Sequence, residues 1–376
     1  MKVLHVIGGM SRGGAETALQ RLVCADTGGP VAHHIVSLTD LGEVGRLVNQ
    51  QGASLEVLGM NQGIGPLLAG LRRLRQLLRR DPPDVVHCWM YHANLLMALI
   101  TPKRIPLIWG VRHALDNWAL ERRGLRIEIR ISARLSGRPA RIVYNSRRAR
   151  EQHEARGYRA ARGQVLANGF DLEALRPDPG ARARLLQLLG LQDRPALQLI
   201  GHVARLHPLK DHAGLIRAAA ALQNPDVHWI LIGSGVDSDP ALTALIDELG
   251  LKAQVHRLGE RNDVATLLPG LDLFTLCSTS ESFSNVLAEA MACGVPSVVT
   301  DVGDNATILA DTGMLVPASN PEALAQAWQA MLDLDPAERA RLAGAARERV
   351  VQHYSQRAAI RHYHGLYADL TRQAAR

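Results

Sequence analysis

Ser280-Glu281-Ser282-Phe283-Ser284-Asn285-Val286-Leu287-Ala288-Glu289-Ala290-Met291-Ala292-Cys293-Gly294-Val295-Pro296 sets two glutamates eight positions apart across a loop-to-helix junction. Ser284 or Asn285 is a suitable N-cap, the pattern predicts a helix from about Val286, and Gly294 stops it. A short β-branched run over residues 296–300 then reads as a buried strand. Glu281 falls in the loop and Glu289 about one turn inside the helix. The N–H groups at the helix start suit an anion, and the carboxylates beside it suit sugar or ribose hydroxyls, which donate charge-assisted hydrogen bonds to them. The plain alternative is a capped surface helix with ordinary glutamates.

The same loop, helix and strand alternation runs outward in both directions. Strands are expected over residues 3–7, 31–38, 84–88, 106–110 and 141–144, and again over 196–202, 228–233, 255–258, 271–277 and 296–300. Helical patterns separate them, for example over 14–26, 66–80, 212–222 and 241–249. Alternation at this spacing means parallel sheets with helices on both faces, and 376 residues suit two such domains. Asn168-Gly169-Phe170-Asp171, followed by Pro177, Pro179 and Gly180, punctuates the middle. The expected organisation is α/β. A first Rossmann-like domain spans 1–170, a linker 171–195 and a second domain 196–354, and a C-terminal helix of about 355–376 packs back on the first domain. Doubly wound sheets bind ligands beyond the carboxyl ends of their strands, which places the chemistry in loops facing a shared cleft.

Two further loops carry unusual residues. Gly8-Gly9-Met10-Ser11-Arg12-Gly13-Gly14-Ala15-Glu16 joins a strand to a helix, and its glycines would let the backbone approach a phosphate. It has neither the Lys-Ser/Thr of a Walker loop nor GxGxxG spacing, so a tight turn explains it equally well. Gly201-His202-Val203-Ala204-Arg205-Leu206-His207-Pro208-Leu209-Lys210-Asp211 ends a strand with two cations. Arg205 and Lys210 suit a diphosphate whose charge grows as it leaves; the alternative is a solvated loop.

Taken in order, these segments resemble the retaining glycosyltransferase family 4, of GT-B fold. The Glu-x7-Glu segment with its trailing AMACGVPSVVTDVGDNA resembles the family's donor-site signature. Gly13-Gly14-Ala15-Glu16 resembles its N-terminal glycine loop, Tyr144-Asn145-Ser146 its strand end, Asn168-Gly169-Phe170-Asp171 its interdomain segment and Gly233-Ser234-Gly235 its G-x-G turn. The resemblance implies that Arg205 and Lys210 hold the pyrophosphate as leaving group, and that Glu289 binds the ribose. It also implies that Glu281, with backbone groups of Phe283, Ser284, Asn285 and Val286, holds the donor sugar, and that Gly13 and Gly14 close the other side of the phosphates. A family histidine is the one departure. Strict register puts Arg112 at its position, whereas residue type favours His113, which is taken as the catalytic candidate with Arg112 or Asp116 as acceptor-side partners.

Asp237-Ser238-Asp239 and Asp333-Leu334-Asp335 match an Asp-x-Asp pattern that can hold a metal, but each precedes a proline and a helical pattern, as N-caps do. No metal and no cofactor are expected, the nucleotide-sugar being a substrate. The four cysteines are far apart and form no CxxC, which fits a reducing cytoplasm. No run reaches the roughly 18 apolar residues of a spanning helix, and the N-terminal MKVLHVIGGM reads as a first strand. The net charge of +7 divides unevenly: residues 1–170 hold 25 Lys/Arg against 12 Asp/Glu, and residues 171–376 hold 18 against 24. In the segment 67–80, Leu67, Leu71, Leu74 and Leu78 form one stripe opposite Arg72, Arg73, Arg79 and Arg80, with Arg75 at the border. The resemblance implies that the first half binds a glycan or lipid-linked acceptor, which its basic charge suits, and that charge also suits peripheral contact with the inner face of an anionic membrane. Nucleic acid is not expected, because no binding motif accompanies the charge and aromatics are only 4%. The expected function is transfer of a sugar from a nucleotide diphosphate in cell-surface polysaccharide or lipopolysaccharide synthesis, with UDP as the nucleotide that the resemblance implies. A sugar-nucleotide epimerase or hydrolase, or a non-catalytic nucleotide-sugar-binding protein, are the alternatives.

Overall fold

A computed structural model of the chain describes residues 1–11, 13–116 and 118–374, apart from the Leu120 side chain. Arg12 of the glycine loop and the last residues of the expected C-terminal helix lie outside them. The chain divides into two compact units, Met1–Gly169 with Gln356–Arg376, and Phe170–Ser355.

The first unit is built on seven parallel strands: β1 (Lys2–Ile7), β2 (Ala32–Ser37), β3 (Ser54–Val57), β4 (Val85–Trp89), β5 (Leu107–Val111), β6 (Arg141–Tyr144) and β7 (Gly163–Val165), in the order β3-β2-β1-β4-β5-β6-β7. β3 and β7 were not expected. They are short edge strands of four and three residues, with no fully buried residue to mark them in sequence. Along β5, Leu107, Trp109 and Val111 face one helical layer while Ile108 faces the other, the two-residue period of a sheet covered on both sides. The helix Ile64–Arg80 buries Leu74 and Leu78, but Leu67 of the expected stripe is exposed, together with Ile64 and Leu68. The core ends one turn short of the helix start.

The C-terminal helix Gln356–Ala374 buries Tyr363, Leu366, Tyr367 and Leu370 in the core of this first unit. A polar chain runs beneath it. The Trp89 indole can only donate, and it meets His5 Nδ1 at 3.2 Å. That leaves the His5 proton on Nε2, facing His33 Nδ1 at 2.8 Å, and the His33 proton on Nε2, facing Asp26 Oδ2 at 2.8 Å. His364 of the C-terminal helix meets the same oxygen at 2.6 Å. Asp26, His33 and His364 are the one group of possible metal ligands among the described residues. The hydrogen-bond direction turns a proton of His33, not a lone pair, toward Asp26, so the trio works as a latch for the helix.

The second unit has six parallel strands, β8 (Gln198–Val203), β9 (Val227–Ile232), β10 (Val255–Arg257), β11 (Leu273–Leu276), β12 (Ser297–Thr300) and β13 (Met314–Val316), ordered β10-β9-β8-β11-β12-β13. Residues 171–195, expected as a linker, carry the helix Ala181–Leu189, whose Ala181, Leu185 and Leu186 are buried. This apolar stripe is why the segment folds into the second unit, where Arg182 bonds Asp272 at 2.7 Å. The four cysteines are unpaired, and no helix among the described residues is long and apolar enough to cross a membrane.

Candidate functional site

In the second sheet β8 pairs with β9 on one side and β11 on the other, so the loops leaving β8 and β11 diverge and open a crevice at the strand ends. Arg205 and Lys210 stand in the first loop and Glu281 in the second. The loops are tied by Thr279 N–H donating to Leu209 O at 2.9 Å and by the Cys277 thiol donating to Lys210 O at 3.1 Å. Pro208–Lys210 forms a single 3-10 turn, which His207 caps by accepting from Leu209 N–H at 3.2 Å. Asp211 then starts the helix His212–Leu222, its carboxylate accepting from Gly214 N–H at 3.0 Å. With its backbone fixed in this way, Lys210 forms an ion pair with Glu281, and the buried Ser278 hydroxyl donates to the same carboxylate oxygen at 2.8 Å. Arg205 is exposed and carries no ion pair among the described residues. Burial first, and then the charges of Arg205 and Lys210, push the His207 imidazole below its ordinary value. Both cations therefore act at the mouth of the same loop.

The helix after Glu281 runs Asn285–Ala292, one residue earlier than expected, with Ser284 at the N-cap position. Ser284 does not cap it. Its hydroxyl makes no bond to the first turn, and it is buried with no hydrogen-bond partner. A helix start that Ser284 does not cap, next to a hydroxyl without a partner among the described residues, suits an anion that accepts from both. Phe283 is buried against Phe170 and Tyr354, with ring centroids at 6.1 and 5.5 Å, so only its backbone can serve a ligand. Val286 and Glu289 are half-buried on the same helix. The Asp-x-Asp pairs lie elsewhere and cap helices: Asp239 accepts from Leu242 N–H at 2.7 Å, and Asp335 from Ala337 and Glu338 N–H at 2.9 Å each.

In the first unit Gly13 is the extended N-cap residue of the helix Gly14–Ala25, and a Cβ on it would meet Glu16 Oε2 at 2.4 Å. Burial raises the Glu16 carboxyl above its usual range, and Asp40 adds to the rise. Arg112 and His113 leave the end of β5 toward different partners. Arg112 lies over the Trp89 ring at 4.6 Å, bonds Tyr363 OH at 2.8 Å and reaches Asn168, which makes it a brace of the C-terminal helix. His113 Nε2 lies 3.1 Å from Glu121, and its Nδ1 lies 3.4 Å from the Tyr91 hydroxyl. Burial lowers its pKa, while Glu121 and Asp116 oppose the fall. Asp116 is itself engaged by Arg148 at 3.0 Å and Gln152 at 2.5 Å, and the carboxylate paired with His113 is that of Glu121.

The family model for "Glycosyltransferase Family 4" matches residues 12–174, and that for "Glycosyl transferases group 1" matches residues 198–333. The chain belongs to glycosyltransferase family 4. D-inositol 3-phosphate glycosyltransferase from Mycobacterium tuberculosis is 36% identical over 216 residues, 55% of this chain, and the match spans only 44% of that relative's length. The Anabaena protein Alr3699/HepE, solved with UDP and glucose, is 25% identical, with a TM-score of 0.86 over 98% of this chain and 99% of its own. Sucrose-phosphate synthase from Thermosynechococcus elongatus, 18% identical with a TM-score of 0.79 over 98% and 99% of the two chains, shares the fold. The two Rossmann-like domains of this family 4 glycosyltransferase, with parallel sheets of seven and six strands, are those of a GT-B fold.

Three residues beside the candidates in the two units of this family 4 glycosyltransferase, Glu121 in the first and Ser278 and Gly303 in the second, were not expected. Glu121 has no sequence signal of its own. Ser278 could have been found from its Ser-x-x-Glu spacing to Glu281. Gly303 stands in the DVGDN segment at φ 58°, where a Cβ would lie 2.2 Å from Glu281 O, and its neighbour Asp304 donates its N–H to Ser282 O at 3.1 Å. Gly303→Ala is therefore expected to cost about 1–3 kcal/mol and to shift the loop carrying Glu281. Thermal unfolding checks the first effect, and unchanged stability would show that the loop gives way freely.

Proposed function

We propose that this chain transfers a sugar from a nucleotide diphosphate donor, a UDP-sugar, to a glycan or lipid-linked acceptor in cell-surface polysaccharide or lipopolysaccharide synthesis. The observation that carries the proposal is the convergence, at the switch point of the second sheet, of Arg205, Lys210, Glu281 and the helix start beside the buried Ser284 hydroxyl. Cations and helix N–H groups stabilise charge on a departing diphosphate, while Glu281 and Glu289 accept from sugar and ribose hydroxyls. The family membership supports transfer, and the UDP bound by Anabaena HepE supports uracil as the base. Gly13, Gly14 and His113 belong to the acceptor-binding first unit in this proposal.

Arg205, Lys210 and the helix start already supply the positive potential that a metal would bring, so donor turnover should survive EDTA. No carboxylate stands out as a base for an inverting attack. The acceptor hydroxyl attacks the anomeric carbon on the face that the diphosphate leaves and gives its proton to a phosphate oxygen, with retention of configuration. NMR of the anomeric proton of the product tests this, and an inverted linkage or loss of turnover in EDTA would overturn the respective point.

The protein would work in the cytoplasm, at the inner face of the membrane. Of the arginines on the helix Ile64–Arg80, Arg73 is engaged by Glu56 at 2.7 Å, while Arg72, Arg75, Arg79 and Arg80 are exposed, as are Ile64, Leu67 and Leu68 at the helix start. Four arginines at about 1 kcal/mol each give an upper bound of about 4 kcal/mol, enough for reversible attachment. Changing Arg72, Arg75, Arg79 and Arg80 to Gln should leave the Arg73–Glu56 pair and folding intact and abolish salt-sensitive sedimentation with anionic vesicles. Equal sedimentation of variant and wild type would reduce this face to a solvated surface.

A further inference from the structure

We propose that Ser278 is a positioning residue, holding one carboxylate oxygen of Glu281 so that the other is offered to a hydroxyl of the donor sugar. The inference rests on the proposed function of the same crevice. Ser278 follows β11 and is fully buried, an unusual place for a hydroxyl without a task. Its Oγ donates to Glu281 Oε1 at 2.8 Å, and Lys210 Nζ bonds that same oxygen. Glu281 Oε2 has no hydrogen-bond partner among the described residues, although the side chain is only 12% exposed. A carboxylate with one oxygen held by two donors and the other bare is aimed, and a sugar hydroxyl would satisfy the bare oxygen.

The two donors are not equivalent. Lys210 is a mobile cation that an arriving diphosphate would attract, and a carboxylate held by Lys210 alone would follow the ammonium. Ser278 cannot follow. Its carbonyl accepts from Thr300 Oγ1 at 2.7 Å, and the next residue, Thr279, donates its N–H to Leu209 O at 2.9 Å. The backbone of Glu281 is held separately, by the close approach of Gly303. The serine hydroxyl is thus the fixed point that keeps Glu281 aimed while the charge of Lys210 is shared with phosphate.

The test compares wild type, Ser278→Ala and Ser278→Thr by calorimetric titration with UDP and with UDP-glucose, together with turnover of UDP-glucose. Ser278→Ala should bind UDP within about twofold of wild type while kcat/KM falls about ten- to hundredfold, the usual loss for a hydrogen bond to a buried charge. Ser278→Thr keeps the hydroxyl and should recover most of that loss. Unchanged turnover in Ser278→Ala, a parallel fall in UDP affinity, or no recovery in Ser278→Thr would overturn the assignment. A ligand-free crystal structure of Ser278→Ala decides the positioning claim without any substrate. Glu281 should leave its wild-type rotamer, and an unmoved carboxylate would overturn the inference. If wild type fails to bind UDP, the proposed donor falls, and this crystal structure still decides the role of Ser278.

Discussion

Arg205→Ala and Lys210→Ala are each expected to slow donor turnover by about a hundredfold or more, the usual cost of removing a donor aimed at developing negative charge. The structure separates the two in a second measurement. Arg205 is exposed and holds no other charge among the described residues, so its removal should leave thermal stability unchanged. Lys210 is paired with Glu281, whose side chain is 12% exposed. Lys210→Ala strands that carboxylate beside the buried Ser278, and a lone, largely buried charge destabilises the fold. A lower unfolding temperature for Lys210→Ala but not for Arg205→Ala is therefore expected. Wild-type turnover in the double variant would remove both residues from the donor site, and equal stability of the two single variants would show that the Lys210–Glu281 pair carries no net charge balance.

Acidification should unfold the protein well above the pH at which carboxylates protonate. His153 in the first unit and His202 in the second are buried, and burial, the largest cause in each, pushes both imidazoles down to about 3. His5 and His87 are also pushed well down by burial. A histidine kept neutral in the fold binds fewer protons than in the unfolded chain. Its contribution is fully present above about pH 6.5 and is lost as the pH falls toward 3. At pH 5 the loss is about 2 kcal/mol for His153 and about 2 kcal/mol for His202, an order-of-magnitude figure at 1.4 kcal/mol per pH unit. Each unit then gives up a large part of a stability that is usually only about 5–15 kcal/mol in total. Glu16, raised by burial, works in the opposite direction but is a single group. Urea unfolding at pH 7.5 and pH 5.0 checks the sign; equal midpoints would mean that these histidines are solvated in the folded state.

The alternation of strands and helices and the presence of two parallel sheets were legible in the sequence, and Arg205, Lys210, Glu281 and Glu289 stood out there as candidates, because each rests on local rules. Buried strands such as β4 and β12 are near-continuous apolar runs, a helix start has its polar cap and its glycine stop, and clustered charges in a loop are visible without neighbours. What depended on distant contacts was not legible. β3, β7 and β13 are short edge strands that exist because a longer neighbour pairs with them. The segment 171–195 joins the second unit because the helix Ala181–Leu189 finds a cover for its apolar stripe. Leu67 fits the leucine stripe in sequence and is exposed with Ile64 and Leu68, because the core stops short of the first turn of its helix. Sequence register could not choose between Arg112 and His113. Folding separates them, since consecutive residues at a strand end point in opposite directions and each takes what lies on its side, Tyr363 for Arg112 and Glu121 for His113. Residue types and their order thus determined the kind of chemistry, while the meeting of Lys210, Ser278 and Glu281 was decided only by two strands becoming neighbours, because hydrogen-bond partners are set by distance in space rather than along the chain.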